Sequence, residues 1–307
     1  MLYRLLSRLD RTRFTSQVIS MMDPGPVGDK ILSLGVPVRS LGMKQGKVNP
    51  LALAKLVRWL KQDKPDVIQT WMYHADLAGG LAAMLAGGIP VSWGIRHSEL
   101  SPEVNRRLTL LTVKTCALLS KWLPAKIVCC SEASLKIHAA VGYAAEKMVM
   151  IPNGIDPELF RPNPHGRLTT RLRLGLSATV PVVGMIGRFD PHKDHRNFIK
   201  AARSLSQVRP DVRFILCGEE VTWENRQLVK WIEAESLLDR FLLLGKRDDI
   251  PNLINTFDVA TLSSLGEGFP NVVLEAMACG VPSVVTDVGD SALIVGDAGL
   301  VVPRRDS

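Results

Sequence analysis

The chain predicts an α/β protein made of two doubly wound domains, each with a mainly parallel sheet covered by helices. Three observations carry that expectation. Short apolar runs alternate with helix-period segments from one end to the other, which is the mark of repeated βαβ units. The alternation restarts after one loop, running from Pro152 to Pro164 and rich in proline and asparagine, the best linker in the chain. The length of 307 residues allows two domains, each able to bury its own core. The expected division is 1–155 and 156–307, with the two domains facing a central cleft. Ligands in such sheets bind beyond the C-terminal strand ends.

In the first domain, strands are expected at 17–21, 36–41, 66–71, 90–95, 126–130 and 147–151. A helix at 50–62 sets Leu53, Leu56, Val57 and Leu60 along one face. Another at 74–85 is rich in alanine, glycine and leucine, so it should pack closely on a sheet. The most apolar helix, 108–119, contains Lys114 and is too short to span a bilayer. In the second domain, strands are expected at 180–186, 212–216, 241–244, 259–262, 283–286 and 300–302, with helices notably at 197–208 and 225–235. A helix at 2–9 precedes the first strand, and the chain stops just after the last one, so both ends are expected to be cut.

Composition narrows the function. With 46% hydrophobic and 22% charged residues the chain is globular. A net charge of +8 and a pI near 9.4 invite nucleic acid, an anionic membrane surface or a phosphorylated ligand. No block of five or six like charges occurs and only three tyrosines are available for stacking, which argues against nucleic acid. The five cysteines, Cys116, Cys129, Cys130, Cys217 and Cys279, show no zinc or disulfide spacing. The start of the chain lacks the apolar stretch of a signal peptide. A cytoplasmic protein is expected, with peripheral contact at the inner membrane face compatible with its charge.

The most informative segment is Glu267-Gly268-Phe269-Pro270-Asn271-Val272-Val273-Leu274-Glu275, followed by Ala276-Met277-Ala278-Cys279-Gly280-Val281-Pro282. Two carboxylates bracket a turn that opens an otherwise apolar helix. Proline suits the first turn of a helix, Gly280 suits the position past its end, and Pro282 stops it. The helix N-terminus offers unpaired N–H groups and partial positive charge, which can receive a phosphate. Glu275, about one turn inside the apolar run, is suited to accept hydrogen bonds from sugar hydroxyls. The pattern fits a sugar joined to a phosphate.

A second phosphate-directed feature is Gly184-Met185-Ile186-Gly187-Arg188-Phe189-Asp190-Pro191-His192-Lys193-Asp194. Gly187 permits close backbone approach, Arg188 offers a planar fork and Lys193 a point charge. Alone, this pair would read as ordinary surface charge. Following a strand in the same domain as the paired glutamates, it reads as a diphosphate clamp. His192, His195, Asp190 and Asp194 match no familiar metal-ligand spacing, so no metal is expected. Neither a Walker loop nor Gly-x-Gly-x-x-Gly after a first strand is present. His74 follows the strand ending at Trp71, while Arg96 and His97 follow the strand at 90–95; all three are acceptor-side candidates. Arg247, in Lys246-Arg247-Asp248-Asp249, could lie along a nucleotide base. Equally, Asp248 or Asp249 could simply cap the next helix.

Together these residues make the chain resemble the retaining family-4 glycosyltransferases of the GT-B fold, over nearly its whole length and most specifically in the second domain. The resemblance implies that Glu267 and Glu275 are the family's paired glutamates and that Gly187, Arg188 and Lys193 are its diphosphate clamp. It implies that Glu275 holds the nucleotide ribose and Glu267 the donor sugar, with amides of Gly268, Phe269, Asn271, Val272 and Val273 around the proline Pro270 receiving phosphate and sugar oxygens. Arg188 and Lys193 would stabilise the leaving diphosphate. It further implies a nucleotide sugar as substrate, a saccharide or lipid-linked acceptor, and no cofactor or metal. Two features depart from the family: a strand and Gly-Gly-x-Glu loop are absent before the first helix, and Arg96 stands where a catalytic histidine is usual. A sugar-nucleotide epimerase of the same fold, or a non-catalytic donor-binding fragment, are the alternatives.

Overall fold

The computed structural model describes residues 1–44, 49–101 and 105–307. The chain forms two compact units. One holds Met1–Arg96, Leu100–Cys130 and Leu135–Ile151; the other holds Pro152–Ser307 together with the short segments His97–Glu99 and Ser131–Ser134.

The first unit runs α1 (Leu2–Arg8), β1 (Val18–Ser20), α2 (Gly25–Leu32), β2 (Val38–Ser40), α3 (Pro50–Asp63), β3 (Ile68–Gln69), α4 (Tyr73–Leu85), β4 (Val91–Ile95), α5 (Arg107–Leu119), β5 (Lys126–Cys129), α6 (Glu132–Val141) and β6 (Met148–Met150). Among the described residues all its strand pairs are parallel, but they fall into two ladders, β1-β2 and β3-β4-β5-β6. The sequence gives no warning of that division. α3 starts where Asn49 accepts from the amides of Leu51 and Ala52 and Pro50 takes the first helical position. It buries Ala52, Leu56 and Leu60 at fourfold spacing. β4 is buried on both faces, with Trp93 and Ile95 fully enclosed among Val113, Cys116 and Ala117 of α5.

The second unit runs α7 (Pro164–Arg173), β7 (Val182–Ile186), α8 (His195–Val208), β8 (Arg213–Cys217), α9 (Arg226–Ala234), β9 (Phe241–Leu243), α10 (Ile250–Ile254), β10 (Val259–Leu262), α11 (Asn271–Ala278), β11 (Ser283–Thr286), α12 (Ser291–Val295) and β12 (Gly299–Val302). Six parallel strands lie in the order β12-β11-β10-β7-β8-β9. Alternate side chains enter separate cores. Met185, Phe214 and Leu216 pack with Phe198, Ile199, Leu228 and Ile232 of α8 and α9, while Val182 and Ile215 pack with Leu253, Ile254 and Ala276. Each fully buried Leu, Ile or Phe contributes about 1.5–3 kcal/mol. The expected linker is partly core: Phe160 is buried among these residues, and Asn163 caps α7 by accepting from Gly166 N at 2.9 Å.

Candidate active site

Strand order locates the site. From β7 the chain moves outward through β8 and β9, then returns to lay β10, β11 and β12 on the other side of β7. Connections therefore diverge between the C-terminal ends of β7 and β10, and that is where open parallel sheets leave a crevice. The loops that follow these two strands carry Gly187, Arg188 and Lys193 on one side and Glu267 on the other.

Close backbone packing shapes this crevice. Gly187 N donates to Cys217 O at 2.8 Å, and a Cβ on Gly218 would stand 2.1 Å from Gly187 O. After Gly187 the chain turns through Asp190, whose carboxylate accepts from Arg188 Nε and from His192 N, both at 2.9 Å. The turn Pro191–Lys193 leads into Asp194, in a left-handed conformation with φ 45°, which caps α8 by accepting from Asn197 N. The Lys193 stem lies against Gly187, where an added Cβ would stand 3.4 Å from its Cγ and Cδ. Ser263 Oγ donates to Lys193 O at 2.8 Å, and Leu265 N to His192 O at 2.7 Å. The loops after β7 and β10 are therefore sewn together by backbone acceptors.

Lys193 Nζ pairs with Glu267 Oε1, which also accepts from Ser264 Oγ at 2.7 Å. Gly289, at φ 54°, lets the turn after β11 press on this loop; a Cβ there would stand 2.3 Å from Glu267 O. Asp290 N donates to Gly268 O at 3.1 Å. Pro270 is buried and stands at the N-cap of α11, one position earlier than the first helical turn expected for it. No side chain caps that end, and Gly268, Phe269, Asn271 and Val272 surround it. α11 then ends on Gly280 at φ 74°, with Val281 N donating to Ala276 O and Gly280 N to Met277 O. Glu275 is buried on α11.

Other candidates stand elsewhere. Arg247, after β9, makes a two-pronged pair with Asp249 at 2.5 and 2.7 Å. Asp249 is the N-cap residue of α10, yet its side chain holds Arg247 and caps nothing, so the capping alternative fails at that residue. That guanidinium holds the Asp249 carboxyl below its ordinary range. His97 groups with the second unit, where burial and the neighbouring His192 push its pKa down. Arg96 and His74 belong to the first unit: Arg96 lies over the Trp71 ring at 4.2 Å, and His74 is exposed in the first turn of α4. Among the described residues no three His, Cys, Asp or Glu side chains gather as a metal site. His195 is buried against Phe189, and burial lowers its pKa to about 4.

Several positioning groups escape sequence reading. Ser98 Oγ donates to Glu267 O, and Asn153 Nδ2 to Asn271 Oδ1 at 3.0 Å. Ser263 and Ser264 had one available signal, two hydroxyls directly after an apolar strand. For Ser98 and Asn153 the partner lies more than a hundred positions away, and no local pattern reports it.

The comparisons with known proteins agree with this architecture. The family description "Glycosyltransferase Family 4" matches residues 1–159, and "Glycosyl transferases group 1" matches residues 180–307. The UDP-Gal:alpha-D-GlcNAc-diphosphoundecaprenol alpha-1,3-galactosyltransferase of Escherichia coli is 30% identical over 261 residues, covering 83% of this chain and 67% of that one. EpsF of Bacillus subtilis (strain 168) is 29% identical over 320 residues, covering 99% of this chain and 79% of that one. Among solved structures, Anabaena HepE in complex with UDP and glucose superposes with a TM-score of 0.83 at 25% identity, covering 99% of this chain and 82% of that chain.

Proposed function

We propose that this chain, which belongs to the group 1 and family 4 glycosyltransferases of GT-B fold, moves a hexose from a nucleoside-diphosphate sugar to a saccharide or lipid-linked acceptor with retention of configuration. The observation that carries this reading is the Lys193–Glu267 pair at the strand-order switch, beside the uncapped N-terminus of α11. A cation, a carboxylate and free helix amides are the groups needed by a phosphate ester bearing a hydroxylated ring.

In this reading Arg188 and Lys193 take the diphosphate oxygens and Glu267 exchanges Lys193 for donor-sugar hydroxyls. Gly187, Gly268, Phe269, Pro270, Asn271 and Val272 shape the bed, Glu275 holds the ribose and Arg247 lies along the base. The sugar C1–O bond breaks and its electron pair stays on the β-phosphate oxygen. The acceptor hydroxyl forms the new C1–O bond on the same face and gives its proton to that oxygen. The clamp offsets the charge left on the diphosphate. His74, Arg96 and His97 serve the acceptor side. The E. coli relative acts on a diphosphoundecaprenol-linked sugar, and structures of Anabaena HepE hold UDP or UDP-glucose. A UDP-hexose donor and a polyprenyl-diphosphate acceptor at the inner membrane face follow as the first substrates to try. No metal takes part.

Isothermal calorimetry with UDP tests the clamp. Lys193→Ala should weaken binding by about 1.5–3 kcal/mol, the range for a hydrogen bond to a charged group. Arg188→Ala should fall at the low end, because its guanidinium is largely exposed. Unchanged affinity in both variants removes the clamp. EDTA should leave binding intact, and a loss restored by Mn²⁺ would overturn the metal-free reading. Release of UDP only when acceptor is supplied distinguishes transfer from epimerisation.

A further inference from the structure

The α5 helix carries two apolar faces, and only one of them is used. Val113, Cys116, Ala117 and Ser120 turn into the first unit's core. On the opposite side Leu108, Leu111 and Leu118 are 64%, 60% and 67% exposed, and Trp122, in the turn that follows, is 69% exposed. Steps of three, seven and four residues place these four on one stripe of a 3.6-residue helix. The stripe continues past the helix end because Trp122 N and Leu123 N both donate to Leu119 O at 3.0 Å. Thr112 and Thr115 fold their hydroxyls back onto Leu108 O and Leu111 O at 2.9 and 3.0 Å. The surface is therefore less polar than its composition.

A basic row borders the stripe. Arg107, Lys114 and Lys121 are exposed, recur every seven residues, and stand between the apolar stripe and the buried face. Arg106, the exposed residue just before the helix, extends the charge. No aspartate or glutamate occurs between Asn105 and Ser131. An exposed apolar patch of this kind marks an interaction surface. Its one-signed border selects the partner: a polar, apolar-cored and anionic surface. A second copy packed face to face across α5 would oppose two acid-free basic rows, which like-charge repulsion disfavours.

We infer that the exposed face of α5 docks this chain on an anionic lipid bilayer, lying in the interface plane with the leucines and Trp122 in the headgroup–acyl boundary and the basic row on the phosphates. Among the described residues no helix is long and apolar enough to cross a membrane, so this contact is peripheral. An indole at the border of such a stripe suits the membrane–water interface. The inference rests on the lipid-linked acceptor reading for its purpose, since docking would bring the enzyme to the surface that holds such an acceptor.

Co-sedimentation with vesicles of phosphatidylcholine, with and without phosphatidylglycerol, tests it. The whole chain should sediment with the anionic vesicles and stay in solution with the zwitterionic ones, with binding falling as salt rises. Leu111→Glu with Leu118→Glu should lower the partition at least about tenfold, since two exposed leucines that would enter the bilayer are replaced by charges. Substituting Arg107, Lys114 and Lys121 together by Gln should abolish the preference for anionic lipid. Quenching of tryptophan fluorescence by brominated lipid should occur in the wild type and drop in Trp122→Phe, a readout that does not need the double variant to fold. UDP affinity, measured on every preparation, should be unchanged. Equal sedimentation of wild type and the leucine double variant overturns the docking face while leaving the donor reading untouched. So does a dimer in light scattering that the double variant breaks. Failure to bind UDP with vesicle docking intact overturns the donor reading alone.

Discussion

Asp76 in α4 and Arg171 in α7 are both only 1% exposed, one in each unit, and the two units treat them oppositely. Arg171 is fully furnished. Its Nε and Nη2 donate to Thr256 O, its Nη1 to the carbonyls of Ser177, Ala178 and Val180, and Nη2 also meets Asp258 Oδ2 at 2.7 Å. Asp258 in turn accepts from Arg167 and from Val182 N, tying α7 to the first residue of β7. Asp76 has less. Thr70 Oγ1 and Gly94 N both reach Oδ1, and Oδ2 has no hydrogen-bond partner. Burial pushes its pKa up to about 7, so it stays protonated through mildly acidic conditions. The second unit answers basic groups with nearby carboxylates, as in Arg188–Asp190, Lys193–Glu267 and Arg247–Asp249. The first pairs Arg39 with Asp63 but leaves a carboxyl half-satisfied, and among the described residues no ion pair answers the basic row of α5. A buried charge is structural when its partners saturate it and titratable when they do not.

Removing the saturated charge should do the most damage. Arg171→Met strands the carbonyls of Thr256, Ala178 and Val180 together with Asp258, so it should cost about 3–5 kcal/mol in denaturant unfolding of the second unit. A cost below about 1 kcal/mol would mean that water replaces the guanidinium and that the contrast is overstated.

Asp76 should declare itself through pH. Its folded pKa is raised, so its contribution to stability is complete below the unfolded value near 4 and is lost as pH rises through about 7. The slope is about 1.4 kcal/mol per pH unit over that window, up to about 4 kcal/mol in total. Asp76→Asn should flatten the profile and be the more stable form at pH 8. A first unit whose unfolding midpoint is the same at pH 5 and pH 8 would show that Asp76 ionises freely.

His195 sharpens the comparison from the acid side. Burial lowers its pKa from 6.5 to about 4, and its Nδ1 has no partner. Its contribution is complete above pH 6.5 and is lost as pH falls through about 4, by roughly 3 kcal/mol at most. The second unit should therefore be the acid-sensitive one, and His195→Phe should remove that sensitivity. Hydrogen exchange at pH 4.5 and pH 7.5 reads both units in one sample.

The smallest effect concerns Glu267. Glu267→Gln takes the counter-charge from Lys193, so UDP alone should bind more tightly, by about 0.5–1.5 kcal/mol. Any extra affinity from the attached sugar should fall. Weaker UDP binding would mean that the pair organises Lys193 instead of restraining it.

Local pattern was enough for most of the fold. The strands at 259–262 and 283–286 match β10 and β11 residue for residue, because short runs rich in β-branched residues are bounded by Asp258 and Ser263 in one case and by Pro282 and Asp287 in the other. The strand expected at 66–71 shrinks to Ile68–Gln69 as a ladder, although Thr70 N and Met72 N still donate to Ser92 O and Gly94 O. α7 was hidden beside the linker because its helix is mostly polar, and its anchor is one arginine.

In the site, the residue types and their strand-end positions were readable: a glycine and two basic residues after β7, and a carboxylate and a helix start after β10. Those are short-range facts, set by propensity, capping and apolar period within a few turns of chain. The pairings were not readable. Lys193 meets Glu267 across 74 positions, Arg171 collects carbonyls from the turn after α10 and the segment before β7, and α5 shows its second apolar face only once its first is buried. Such contacts depend on how parallel strands are ordered and on which side chains finally lose water. Both are decided when the sheets assemble, and neither leaves a periodic trace in the residues that take part.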